Sequence, residues 1–213
     1  MPSLMPANAV EPIGQRPETR IVISLPGRYS LWTTQDSGHQ LKQYACRAIS
    51  MSPTSVALVA PVRGLVGDWV SAEIEYFGKL EGSIKRLLHQ RGFVMQPVAS
   101  REERANLANK IEWFEKYKNL ELADLRAHAR FVPENPISTL IFADGTVNSC
   151  FILDLSASGV AISSDSLPEI STVLAVGSVV GRVIRHFHGG FAVKFVSVQD
   201  RQSVEEHVRH FCR

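Results

Sequence analysis

The feature that most constrains this chain is that its second half repeats the first. Leu107, Ile111 and Phe114 fall at helical spacing, and the same spacing returns 97 residues later at Val204, Val208 and Phe211. The stretch Gly82-Ser-Ile-Lys-Arg-Leu-Leu-His is matched 99 residues on by Gly181-Arg-Val-Ile-Arg-His-Phe-His. Two R-x-x-x-R elements, Arg16 to Arg20 and Arg126 to Arg130, stand 110 residues apart. Unequal offsets are what loops of different length between two copies produce. Whatever the unit folds into, the chain must contain it twice, one after the other.

Each unit reads as strands followed by a helix. In the first copy the strand-like stretches are Gly27 to Thr33, Tyr44 to Met51, Ser55 to Ala60, Trp69 to Phe77, Gly82 to Leu88 and Phe93 to Val98. Trp69 to Phe77 alternates, with Val70, Ala72, Ile74 and Tyr76 on one face. Ser100-Arg101-Glu102-Glu103 is a capping box that opens a helix to about Lys116. In the second copy the strands are Ser138 to Ala143, Val147 to Leu155, Gly159 to Ser163, Ile170 to Val176, Gly181 to Phe187 and Phe191 to Val196. Asp144-Gly145 and Gly189-Gly190 supply tight hairpins, and a helix follows from about Asp200. Six strands suit a small closed barrel or sandwich. The simplest architecture is two tandem barrels, each ending in a helix. The predicted divisions are a tail over 1–15, a first domain over 16–118 and a second over 119–213.

Composition narrows the class without naming it. The chain has 213 residues, 45% hydrophobic and 21% charged, with a net charge of +2. That balance is ordinary for a globular protein and argues against a strongly polyanion-binding surface. Cys46, Cys150 and Cys212 form no C-x-x-C, so neither a zinc site nor a disulfide framework is expected. No apolar run approaches the ~20 residues of a membrane helix, and residues 1–15 lack a signal-peptide pattern. The expected setting is a reducing cytoplasm.

The chemistry-bearing stretch is Asp154-Leu155-Ser156-Ala157-Ser158-Gly159, a D-x-S-x-x-G between two strands. Asp154 offers acceptor oxygens, Ser156 a donor and an acceptor, and Gly159 close backbone access. Arg130 lies 24 residues before Asp154. R-x-x-x-R, then a strand hairpin, then D-x-S-x-x-G resembles the PilZ domain, a bacterial receptor for cyclic di-GMP. The resemblance implies two tandem PilZ-like six-stranded antiparallel barrels, a mainly β fold, and a ligand with two phosphates and two guanines. Arg126 and Arg130 would bind phosphates and guanine edges, since guanidinium pairs bidentately with both. Asp154 and Ser156 would hydrogen-bond guanine, and Gly159 would leave room for it. The expected output is a change of interdomain arrangement acting on a protein partner in motility or exopolysaccharide control. No metal, cofactor or enzymatic activity is implied.

The first copy departs from this pattern. Ser50-Met51-Ser52-Pro53-Thr54-Ser55 stands where D-x-S-x-x-G belongs. Arg16, Arg20 and Ser52 remain as a degenerate site, but Ser50 carries no charge and Ser55 carries a Cβ. Weak or absent binding is expected there. Three other constellations bear on function. His186 and His188 share a strand face but lack a third metal ligand. Ser156 has no histidine placed by sequence to activate it as a nucleophile. Lys85, Arg86, His89, Arg91, Arg182 and Arg185 give the strands basic character, which keeps open a nucleic-acid-binding barrel. A protein-interaction adaptor with a vestigial nucleotide site is the other alternative.

Overall fold

The structure, a computed structural model, describes residues 19–32, 42–89, 91–121, 128–164 and 166–209, with side chains of the helix to 116. The expected tail, Arg16, Arg126, Phe211 and Cys212 lie outside the described residues.

Two closed antiparallel barrels form, six strands each, so the chain is mainly β. The first comprises β1 (Ile21–Trp32), β2 (Tyr44–Ser52), β3 (Ser55–Val59), β4 (Trp69–Ile74), β5 (Gly78–Leu87) and β6 (Gly92–Pro97). They close in the order β1-β2-β3-β6-β5-β4. The second comprises β7 (Ile137–Phe142), β8 (Val147–Ser156), β9 (Gly159–Ser163), β10 (Val173–Val176), β11 (Val179–Phe187) and β12 (Gly190–Phe195). Its order, β7-β8-β9-β12-β11-β10, is the same circuit. Closure leaves no sheet edge open to other chains. Helix α1 (Arg101–Glu121) follows the first barrel and α2 (Val204–Val208) the second.

Alternation along the strands fills each interior. Tyr29, Met51, Leu58, Ile84, Phe93 and Met95 are fully buried in the first core, where Tyr29 and Phe93 meet edge-on at 5.5 Å. Leu140, Ile152, Leu155, Ile162 and Phe191 fill the second. Leu107, Ile111 and Phe114 join the first core from α1, and Val204 and Val208 join the second from α2. The expected capping box is present. The Ser100 amide donates to Glu103 Oε2 at 2.7 Å, and the Glu103 amide donates to Ser100 Oγ at 3.2 Å. At the Asp144-Gly145 turn, Gly145 takes φ +84°, a conformation that favours glycine.

Several boundaries differ from the sequence-based expectation: β5 starts at Gly78 rather than Gly82, β10 at Val173 rather than Ile170, and α2 at Val204 rather than about Asp200. Two further differences have a local cause. Strand β1 starts at Ile21 rather than Gly27, running through Pro26. Over Ile21–Leu25 it pairs with β2, and pairing with β4 starts only at Gly27. An edge-like segment tolerates the missing N–H of proline. Strand β4 ends at Ile74, and Tyr76, expected to continue the face of Val70, Ala72 and Ile74, is exposed at φ +68° in the turn to β5. Phe77 is buried in its place.

The barrels meet through a small apolar layer. Ala45, Ile49 and Val59 of the first face Phe151, Leu153, Ala161, Ile137 and Phe187 of the second. The Gly189-Gly190 hairpin presses on β2. A Cβ on Gly189, itself at φ +75°, would stand 2.8 Å from the Ala45 amide nitrogen. Among the described residues no helix is long and apolar enough to cross a membrane.

Candidate functional site

The site starts with a break in alternation. Ile152 points into the second core, so strict period two would aim Asp154 inward as well. A bulge between Ile152 and Asp154 shifts the register against β9. A bulge turns the side chains that come after it toward new directions. Leu153 faces the other barrel, Leu155 returns to the core, and Asp154 and Ser156 keep the outer rim. Ser156 pairs with Gly159 at the hairpin end, and its hydroxyl donates to the Gly159 carbonyl at 3.1 Å. A Cβ on Gly159 would lie 2.5 Å from the Val193 carbonyl oxygen. Strand packing therefore requires that glycine whether or not a ligand approaches.

Arg130 arrives from the segment before β7. Phe131 bridges to Leu155, with backbone hydrogen bonds of 2.8 Å in both directions. In that antiparallel pairing Arg130 and Asp154 stand diagonally across the bridge, a gap that the long arginine side chain spans. Arg130 Nη1 stands 3.2 Å from Asp154 Oδ1, with its side chain 26% exposed. Of the five site residues expected in the second copy, Arg130, Asp154, Ser156 and Gly159 come together on one rim. Arg126 lies outside the described residues.

A residue that no motif in the sequence marks completes the cluster. Arg47, from the outer face of β2, donates Nη2 to Asp154 Oδ2 across the barrel interface. Its Nη1 donates to Ser24 O at 2.8 Å and Ser24 Oγ at 3.3 Å, within its own barrel. Arg47 is 4% exposed and Asp154 2%, sealed by the apolar layer around them. Low local dielectric strengthens such a pair but also charges desolvation against it. The available signal was the outer face of β2, where Ala45 and Ile49 flank Arg47. Apolar residues on the outside of a barrel mark a covered surface.

The first copy carries the same frame without the charge. Ser52 pairs with Ser55, and a bulge lies between Ala48 and Ser50. Ile21 pairs with Met51, as Phe131 does with Leu155. Arg20 Nη2 then donates to Ser50 Oγ at 2.8 Å.

The other constellations are engaged elsewhere. His186 Nε2 lies 2.7 Å from the Pro168 carbonyl. Arg91 donates to Glu134 O at 2.9 Å and Arg182 to Ser171 O at 2.8 Å. A groove of about 750 Å³ lies on the first barrel with Arg28, Lys79 and His188 in its wall. Its charges pair locally, Arg28 with Glu73 at 2.6 Å and Lys79 with Glu81 at 2.6 Å. Exposed pairs of this kind form a solvated surface network.

No family model matches the chain, and no curated protein does. Several solved structures align along most of its length. One is Borreliella burgdorferi PlzA in complex with c-di-GMP, 13% identical over 89% of this chain and 92% of that one, at a TM-score of 0.28. Another is the Bacillus subtilis inhibitor of motility MotI/DgrA, 12% identical over 88% and 94%, at 0.30. A third is Escherichia coli YcgR in complex with c-di-GMP, 15% identical over 86% and 80%, at 0.25. Likeness at these scores carries no argument about function, which rests on the residues of the site.

Proposed function

We propose that the chain is a receptor for cyclic di-GMP whose second barrel holds the ligand. Arg130, with Arg126 before it, takes phosphate oxygens and a guanine edge. Asp154 accepts from the N–H donors of guanine, and Ser156 adds a hydroxyl beside it. The observation that carries this reading is the 3.2 Å approach of Arg130 to Asp154, which gathers the cationic and acidic halves of the motif on one rim. Ligand binding draws the segment before β7 over the barrel and alters how the two barrels sit together. The output passes to a protein partner, and the motif resemblance points to motility or exopolysaccharide control. The reading needs no reacting group: the Ser156 hydroxyl donates to the Gly159 carbonyl and can still accept from guanine.

A second reading is favoured by one observation: Asp154 is already held by two guanidinium groups. There the motif is a structural staple and the chain is an adaptor with a vestigial site. Titration calorimetry with cyclic di-GMP separates the two. Saturable binding selective over GTP, lost on Arg130→Ala, supports the receptor. Absence of binding to the full chain leaves the adaptor.

A further inference from the structure

The ion pair that spans the two barrels sits on the acceptor that a ligand needs. We infer that Arg47 is a built-in competitor for the nucleotide, and that it sets the affinity of the second barrel's site from the first barrel. This rests on the receptor reading above.

Competition arises from shared atoms and fixed anchors. Arg47 binds Asp154 Oδ2 while Arg130 stands at Oδ1. One donor on each oxygen leaves acceptor capacity over, but the carboxylate is 2% exposed behind its two arginines, so guanine reaches Asp154 only when a guanidinium moves aside. Arg130 is the ligand's own partner and is partly exposed, so it can turn to a phosphate while staying at the rim. Arg47 cannot follow in that way. Its Nη1 is tied to Ser24 at 2.8 and 3.3 Å, and its side chain is enclosed by the apolar layer between the barrels. Breaking its bond to Asp154 therefore means shifting one barrel's outer face against the other.

A charge-assisted hydrogen bond is roughly twice as strong as a neutral one. Guanine's neutral N–H groups alone do not displace Arg47; the phosphates captured by Arg130 add what is missing. The closed pair thus makes the binding-competent form a minor one, and apparent affinity falls by the competent fraction. The first barrel, whose own rim has lost its carboxylate to Ser50, keeps a role in binding by holding the second barrel's carboxylate.

The test is calorimetry of the full chain with cyclic di-GMP, for the wild type, Arg47→Met and Arg47→Lys, with small-angle scattering of each before and after ligand. Methionine keeps much of the stem volume and removes the charge; lysine keeps the charge but cannot bridge Ser24 and Asp154 with two nitrogens. Expected is binding about tenfold tighter or more for Arg47→Met, with Arg47→Lys between it and the wild type. The ligand-free scattering of Arg47→Met should already match that of the liganded wild type. Wild-type binding with no gain in either folded variant overturns this inference and leaves the receptor reading standing. Weaker binding in the variants also overturns it, making Arg47 a ligand contact. Binding by none of the three overturns the receptor reading and this inference together. Should Arg47→Met not fold, Arg47→Lys decides by the same criteria.

Discussion

Arg20 reaches Ser50 in the first barrel as Arg130 reaches Asp154 in the second, from the same position before a matching backbone pair. The strand circuit, the bulge before the acceptor and the closing hairpin are also shared. What differs is one functional group. A hydroxyl meets an arginine in an exposed setting in one barrel, and a carboxylate meets two arginines under cover in the other. The frame persists without the ligand chemistry, because bulge and register are set by apolar packing on the far face of the strand. The carboxylate is an addition to that frame and can be lost from it at little structural cost.

The sharpest way to break the comparison is to delete each acceptor in turn. Asp154→Ala deprives the enclosed Arg47 of its counter-ion and should lower unfolding stability by about 3–5 kcal/mol in denaturant titration. Adding Arg47→Met should recover most of that loss, and an equal or larger loss in the double variant would contradict the pairing. Ser50→Ala, at an exposed hydroxyl, should cost at most about 1 kcal/mol. The same pair of variants should separate in calorimetry, with cyclic di-GMP binding lost in the first and unchanged in the second.

The two hairpin ends offer a smaller contrast. Gly159→Ala places a methyl 2.5 Å from the Val193 carbonyl and should destabilise by about 1–3 kcal/mol. Ser55→Gly, in the other copy, should cost no more than about 1 kcal/mol from added backbone freedom. Equal losses at the two positions would mean that Gly159 is held by something other than strand packing.

Restoring the missing charge runs the comparison the other way. Ser50→Asp with Ser55→Gly rebuilds D-x-S-x-x-G in the first barrel beside Arg20. A hydrogen bond to a charged group contributes about 1.5–3 kcal/mol, so a second, weaker binding event should appear in calorimetry. A stoichiometry that stays at the wild-type value would show that the first rim lacks more than its carboxylate.

The smallest expected difference is in alkaline sensitivity. Burial pushes the thiol of Cys150 up to about 12 and raises the Tyr29 phenol and the Cys46 thiol further still. All three favour the protonated form in the folded state. Their contribution is present in full below the unfolded-state values and is lost as pH rises toward the folded ones, from about pH 9 for the thiols. Two of the groups lie in the first barrel and one in the second, so the first should weaken sooner. Trp32, Trp69 and Trp113 all lie in the first barrel and the helix that follows it, so tryptophan emission reports on that unit while total circular dichroism reports on both. Coincident loss of the two signals above pH 9 would show that the barrels unfold as one.

Most of the frame was legible in the chain because it is local. Strand-like composition between turn residues, with alternation at Trp69 to Phe77, placed the core of each of the twelve strands, Asp144-Gly145 placed a hairpin, and Ser100 with Glu103 placed the start of α1. Two of the boundary differences have local causes too. Pro26 hid the first part of β1, and the turn at Tyr76 put a residue of the right period outside the core. The degenerate rim was readable as well, since Ser50 falls opposite Asp154 when the copies are aligned.

The sequence by itself determined a duplicated strand-and-helix unit, the two rims and which of them carries a carboxylate, since periodicity and turn chemistry act over a few residues. Only the tertiary structure decided what that carboxylate binds at rest. Arg47 and Asp154 are 107 residues apart and belong to different barrels. Their pairing depends on which outer faces pack together, and that is settled by a small apolar layer assembled from strands far apart in the chain.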